Sequence, residues 1–124
     1  LDSVITRYPV DTSRIYLTGF SMGGIGTLDF AIRYPHRFAA LIPIAFRIED
    51  GWDLCVIKDI PLWGFHGQHD PIIPLYKAQS VITTLINCGG SPLFTIYSDL
   101  FHDAWTRTYN NPDIYNWLLS KRIQ

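Results

Sequence analysis

The chain has 124 residues, 48% of them hydrophobic and 17% charged, with a formal net charge of −1 at pH 7. This length and composition predict a single domain over residues 1–124 that buries one core. The balanced charge disfavours nucleic-acid binding, and no apolar run approaches the roughly 20 residues of a membrane span. The first residues lack the charged and apolar regions of a signal peptide, and the compartment stays open.

Helical and extended patterns alternate along the chain. A helical face over residues 1–8 ends at Pro9, an extended run follows over 14–18, and a second helical pattern over 23–34 ends at Pro35. The later elements are, in chain order, strands over 39–44 and 60–65, a helix over 78–85 closed by Gly89 and Gly90, a strand over 93–97 and a helix capped by Asn111. This alternation predicts an α/β fold with a parallel sheet of about four strands.

A serine lies between two glycines where the first strand meets the second helix. Residues 19–24 read Gly-Phe-Ser-Met-Gly-Gly. The bare G-x-S-x-G pattern is weak evidence, but between a strand and a helix it is typical of a nucleophile elbow, a sharp turn that exposes the serine oxygen. Ser21 is therefore the candidate nucleophile, and the Met22 amide at the start of the helix is a candidate oxyanion donor.

Two later loops carry the partners that a nucleophilic serine needs. Asp70 follows the strand over 60–65 and is the candidate acid, and His102 follows the strand over 93–97 and is the candidate base. The carboxyl ends of parallel strands meet at one edge of a sheet, so these loops can converge. Asp99 and Asp103 are rival acids, but a carboxylate next to the histidine in sequence seldom reaches its ring nitrogen, and Asp70 is favoured.

Three segments, over residues 19–24, 65–74 and 102–109, carry a family resemblance. Together they resemble α/β-hydrolases of the phospholipase/carboxylesterase and predicted-peptidase group, whose relatives include feruloyl esterases and polyhydroxybutyrate depolymerase-like enzymes. The resemblance covers nearly the whole chain. It implies an α/β-hydrolase fold with Ser21 as nucleophile, Asp70 as acid, His102 as base and the Met22 amide as one oxyanion donor.

The chain departs from the family pattern in three places. The family usually has a further N-terminal half that donates the second oxyanion amide, and we expect this chain to begin within the domain, at Leu1, as a truncated α/β-hydrolase fold. Phe101 stands where the family tends to have glycine before the histidine, and residues 46–49 replace a glycine-rich stretch. We therefore expect all three triad residues in a site with fewer oxyanion donors. Removing one such donor typically lowers the catalytic rate by about 100- to 1,000-fold.

Other side chains near these loops have a structural and a functional interpretation. Phe20 and Trp105 are candidate substrate-binding residues. For Trp105 and Tyr109 the functional interpretation is one wall of an acyl pocket, and packing of their loop against the sheet is the favoured interpretation. His66 is expected to hydrogen-bond the loop that positions Asp70. His69 is expected at the rim of the site or in solvent.

Cys55 and Cys88 form neither a metal pattern nor a C-x-x-C redox motif. Both are predicted at the amino ends of the strands, away from the candidate site. The sequence leaves two alternatives for them: a disulfide between the two cysteines, or two buried or half-buried thiols.

The sequence predicts a serine carboxylesterase that hydrolyses small esters through an acyl-enzyme, with no metal or organic cofactor. The alternatives are a non-catalytic remnant that serves as an interaction module, and a peptidase or acyltransferase with the same triad. We also expect a homodimer or higher oligomer, because the strand that carries Ile15 and Leu17 would be an open, apolar sheet edge.

Overall fold

The computed structural model describes residues 1–123 and contains one sheet of four parallel strands in the order β1-β2-β3-β4. The strands are β1 (Tyr16–Phe20), β2 (Ala40–Ile44), β3 (Trp63–Gly67) and β4 (Leu93–Tyr97). The α-helices are α1 (Asp2–Arg7), α2 (Met22–Arg33), α3 (Leu75–Asn87), α4 (Trp105–Tyr109) and α5 (Pro112–Leu119). A 3₁₀ turn over Leu54–Ile57 precedes β3. The predicted α/β architecture is confirmed.

The strand ends differ from the predictions in ways that matter for the site. β1 begins at Tyr16 and runs on to Phe20, so the strand leads directly into Ser21. β3 begins at Trp63, after Pro61, and extends to Gly67 because its register with β4 continues to Tyr97. The loops that follow β1 and β3 therefore both begin at the carboxyl ends of the strands, on the same side of the sheet.

The core lies on both faces of the sheet, since successive residues of a strand point to opposite sides. Under α2 and α3 the buried residues include Leu28, Leu41, Phe46, Val81 and Leu85. On the face covered by α4 and α5 they include Ile42, Ile44, Phe65, Ala104 and Ile114. The central strand β2 is buried along its whole length, as expected for a parallel strand covered on both faces.

The helix termini follow their sequence signals. The Asn111 side chain accepts a hydrogen bond from the Asp113 amide (3.0 Å) and caps α5. Gly89, just after α3, has a φ of +97°, a conformation that favours glycine. Among residues 1–123, no helix is both long and apolar enough to cross a membrane.

The two cysteines form a disulfide, with their Cα atoms 5.4 Å apart. The bond joins the 3₁₀ turn before β3 to the residue that follows α3. The alternative of two buried or half-buried thiols is wrong, and Cys55 is exposed. Their predicted position at the amino ends of the strands is confirmed, and the disulfide decides between the two alternatives left open by the sequence.

Candidate active site

Ser21 occupies a sharp turn between β1 and α2. Its backbone has a φ of 59° and a ψ of −112°, which is strained for a residue with a side chain. The turn closes tightly because a Cβ at Gly19 would overlap the Gly23 carbonyl, and a Cβ at Gly24 would lie 2.7 Å from the Ile44 carbonyl oxygen. The Ser21 amide donates to that same Ile44 oxygen at 2.8 Å, which fixes the turn against β2.

Met22 begins α2 directly after the serine. Amides of the first helical turn have no partner within the helix, and the helix dipole favours negative charge there. The Met22 amide thus belongs to a helix N-terminus that directly follows the candidate nucleophile. Its side chain is 84% exposed, so the surface beside Ser21 is partly apolar.

The His102 ring lies between Ser21 and Asp70. Its Nε2 atom is 3.1 Å from Ser21 Oγ, and its Nδ1 atom is 2.7 Å from Asp70 Oδ2. A carboxylate only accepts hydrogen bonds, so the ring donates through Nδ1–H and its Nε2 faces the serine hydroxyl as an acceptor. The structure thus brings together the three side chains that the sequence singled out, in a geometry that can move a proton from hydroxyl to imidazole.

The Asp70 carboxylate is held by the turn that follows it. Its Oδ1 atom accepts hydrogen bonds from the Ile72 and Ile73 amides, at 2.8 and 2.9 Å. The side chain has no exposed surface, while that of His102 keeps 22%. One carboxylate oxygen is therefore fixed by backbone donors, and the other is directed at the imidazole.

Backbone hydrogen bonds join the acid loop to the histidine loop. The Gln68 amide donates to the Tyr97 carbonyl at 2.9 Å, and the His69 amide donates to the Leu100 carbonyl at 3.0 Å. The loops approach so closely that a Cβ at Gly67 would overlap the Phe101 carbonyl oxygen. Sequence reasoning missed this function of Gly67, although a glycine at a strand end can mark a close backbone approach.

The rival acids have other partners. Asp103 accepts hydrogen bonds from the Thr106 amide and hydroxyl, at 3.1 and 3.0 Å, at the start of α4. Asp99 forms a bidentate pair with Arg107, both distances being 2.8 Å. The hydrogen bond from Arg107 lowers the pKa of Asp99 to about 2. Neither carboxylate is the partner of His102 Nδ1, which is bonded to Asp70.

The Phe20 ring packs between the rings of His102 and Trp105. The Phe20 ring centroid lies 4.8 Å from that of His102 and 4.3 Å from that of Trp105. Trp105 stays 39% exposed, so it combines packing with an accessible surface. The Tyr109 hydroxyl is 2.9 Å from Thr18 Oγ1, which ties α4 to β1, as the packing interpretation of Tyr109 predicts.

The two remaining loop histidines differ in burial. His69 is exposed, with its ring centroid 5.4 Å from that of Phe101, and Phe101 is itself 62% exposed. His66 is completely buried, and its Nε2 lies 2.7 Å from the Ile73 carbonyl oxygen. The expected hydrogen bond from His66 to the Asp70 loop is therefore present. Within residues 1–123, no group of three or more His, Cys, Asp or Glu side chains is placed to hold a metal ion.

The fold and the site together define an α/β-hydrolase domain. The first strand of the parallel sheet ends in a strained turn at a serine, and later loops bring an acid and a histidine to that serine. The sequence model of the phospholipase/carboxylesterase family matches residues 3–115. The chain belongs to this family of ester hydrolases.

Individual relatives agree with that assignment. The chain is 26% identical over 126 residues to a bifunctional acetylxylan esterase/xylanase of Neocallimastix patriciarum, covering 94% of this chain and 17% of that protein. It is 38% identical over 52 residues to an S-formylglutathione hydrolase of Paracoccus denitrificans (strain Pd 1222), covering 40% of this chain and 19% of that protein. The chain thus spans less than a fifth of the length of these curated relatives.

Among solved structures, the crystal structure of a thermostable esterase superposes with a TM-score of 0.91 and 34% identity. That match covers 98% of this chain and 34% of the esterase chain. Esterase PE8 shares the fold at a TM-score of 0.77 and 18% identity.

Proposed function

We propose that this domain is a serine carboxylesterase that hydrolyses small esters through an acyl-enzyme intermediate. The observation that carries the proposal is the continuous hydrogen-bonded path from Asp70 through His102 to Ser21, with distances of 2.7 and 3.1 Å. Its membership of an ester hydrolase family supports the same chemistry.

In the first half-reaction, Ser21 Oγ attacks the ester carbonyl while His102 Nε2 takes the hydroxyl proton. The imidazolium that forms is stabilised by Asp70, whose orientation is fixed by the Ile72 and Ile73 amides. The Met22 amide stabilises the oxyanion, a contribution of about 3 kcal/mol for a well-placed donor. Collapse of the tetrahedral intermediate releases the alcohol, which takes the proton from His102.

In the second half-reaction, water replaces the alcohol. The water oxygen attacks the carbonyl of the acyl-Ser21 ester while His102 takes a proton from that water. Collapse returns the proton to Ser21 Oγ and releases the carboxylic acid. The carboxylic acid and the alcohol together contain all the atoms of the ester and the water. No atom changes oxidation state, so the reaction needs no redox partner.

The substrate proposal rests on the surface around Ser21. The Phe20 ring packs against His102, the Trp105 ring packs against Phe20, and Trp105 is exposed enough to contact a ligand. A wall of two rings suits a short acyl or alcohol group. The name of the Neocallimastix relative refers to an acetyl ester, which agrees with a short acyl group.

Hydrolysis of p-nitrophenyl acetate and butyrate tests this proposal. The parent chain should release nitrophenol well above background, and Ser21→Ala should fall to background. Ser80→Ala, an exposed serine on α3, is the matched control and should keep the parent rate. Equal background rates in parent and Ser21→Ala would refute an esterase and favour the non-catalytic module. Turnover of peptide amides in preference to esters would favour the peptidase alternative.

We further propose that the domain associates through the open edge of β1. Among the described residues β1 pairs only with β2, and an unpaired edge strand offers free backbone groups to another strand. Sedimentation velocity over a range of concentrations tests this: a dimer or higher oligomer is expected, and a monomer at every concentration would contradict it.

A further inference from the structure

A buried imidazole behind the candidate acid has no part in the proposed mechanism. His66 lies in β3 with no exposed surface, and its ring packs edge-on against Phe46, with the centroids 5.9 Å apart. Polar groups are costly to bury unless they are hydrogen-bonded. The partners of this ring therefore indicate what the histidine does.

Those partners fix one tautomer of His66. The Phe46 amide donates to Nδ1 at 3.4 Å, so Nδ1 carries no proton. Nε2 must then carry it, and Nε2–H donates to the Ile73 carbonyl at 2.7 Å. Burial lowers the pKa of His66, which agrees with a neutral ring near pH 7.

Ile73 links this histidine to the acid. Its carbonyl accepts from His66, and its amide donates to Asp70 Oδ1 at 2.9 Å. The same His66 Nε2 atom lies 3.6 Å from Asp70 Oδ2, beyond hydrogen-bond distance, whereas His102 Nδ1 lies 2.7 Å from that oxygen. The neutral His66 ring thus holds the Ile73 peptide group, which in turn orients the Asp70 carboxylate.

We propose that His66 is a positioning residue that locks the turn over residues 70–73, so that Asp70 Oδ2 accepts its hydrogen bond from His102. The inference rests on the proposed function where it concerns turnover. Its geometric part concerns the bond between His102 and Asp70, and this can be measured without any substrate.

Two substitutions separate the hydrogen bond from simple space filling. His66→Gln keeps an N–H donor at about the reach of Nε2, and His66→Met has a similar length without a donor. His36→Met, at an exposed position remote from the site, is the control. Circular dichroism and thermal unfolding identify which variants are folded.

The first readout is NMR of the histidine rings. In the parent, ring nitrogen shifts should assign His66 as the neutral Nε2–H form, and His102 Nδ1–H should give a low-field proton resonance. Folded His66→Met should lose or shift that resonance, while His66→Gln should retain it. A His66 ring protonated on Nδ1 at neutral pH would overturn the proposal even if His66→Met fails to fold.

The second readout is the split between kcat and KM. Misplacing a catalytic group by about 1 Å costs on the order of 100-fold, so His66→Met should lose about 10- to 100-fold in kcat with KM nearly unchanged. His66→Gln should recover most of that loss. A folded His66→Met that keeps both the resonance and kcat would show that the ring only fills space. Absence of Ser21-dependent turnover in the parent would refute the esterase, while the NMR result would still decide the positioning role.

Discussion

His102 Nδ1 lies 2.7 Å from Asp70 Oδ2, although the two residues are 32 positions apart in the sequence. The pair is assembled by two loops that bond to each other through the His69 amide and the Leu100 carbonyl, at 3.0 Å. The carboxylate is buried and held by backbone donors, while the imidazole stays partly exposed beside Ser21. This relationship makes the acid loop and the histidine loop one structural unit.

The acid assignment is tested by amide substitution. Asp70→Asn should lower kcat by about 10⁴-fold, because an amide can donate to the ring and stabilises the wrong tautomer. Asp103→Asn should keep kcat within about threefold, since Asp103 bonds to Thr106 at the start of α4 and not to His102. Steady-state hydrolysis of p-nitrophenyl butyrate measures both. The opposite ranking would reassign the acid.

The packing of the two loops is tested at Gly67. Gly67→Ala places a Cβ against the Phe101 and Leu100 carbonyls, which must move and take His102 with them. We expect a loss of at least about tenfold in kcat/KM together with lower stability. Gly26→Ala in α2 is the control, because a Cβ there meets no atom within 4 Å and should stabilise the protein by about 0.5–1 kcal/mol. Unchanged activity in folded Gly67→Ala would show that the loops can separate without harm.

The disulfide should affect stability and leave chemistry unchanged. Cys55 and Cys88 close a loop with a sequence separation of 33 residues. Loop-closure entropy then predicts that the Cys55→Ser/Cys88→Ser variant loses about 3–4 kcal/mol in its free energy of unfolding. Urea denaturation gives this value, and kcat of the folded variant should equal that of the parent. A fall in kcat would show that the amino ends of the strands influence the site.

The ion pair between Asp99 and Arg107 predicts a specific pH dependence. The Arg107 hydrogen bond lowers the pKa of Asp99 to about 2, below its unfolded value. A carboxyl with a lowered pKa stabilises the fold above its unfolded pKa, and this contribution is lost as the pH falls toward 2. NMR titration should show the low value in the parent and a rise toward the ordinary range in Arg107→Met. An Asp99 titration that does not respond to Arg107 would break this assignment.

The sequence was most informative where a local pattern determines a local structure. Asn111 predicted the start of α5, and the strand and helix around Ser21 predicted a sharp turn at the serine. Asp70 and His102 could be placed at the same edge because each follows a parallel strand. Their roles in catalysis stay predictions.

Contacts between loops that are far apart in the sequence were not predictable in the same way. Cys55 and Cys88 meet because the 3₁₀ turn and the end of α3 lie side by side. The close approach of Gly67 to Phe101 depends on the register of β3 with β4. The sequence suggested that His66 bonds to the acid loop, but its tautomer depends on the Phe46 amide, 20 positions away.

Covalent labelling of Ser21 tests the proposed catalytic site most directly. The parent chain is treated with a fluorophosphonate probe, and its intact mass and labelled peptide are measured. We predict a single adduct on Ser21 that is absent in Ser21→Ala and forms far more slowly in His102→Ala. A parent chain that stays unlabelled, or carries its adduct on another residue, would contradict the claim that Ser21, His102 and Asp70 form a working acyl-transfer site.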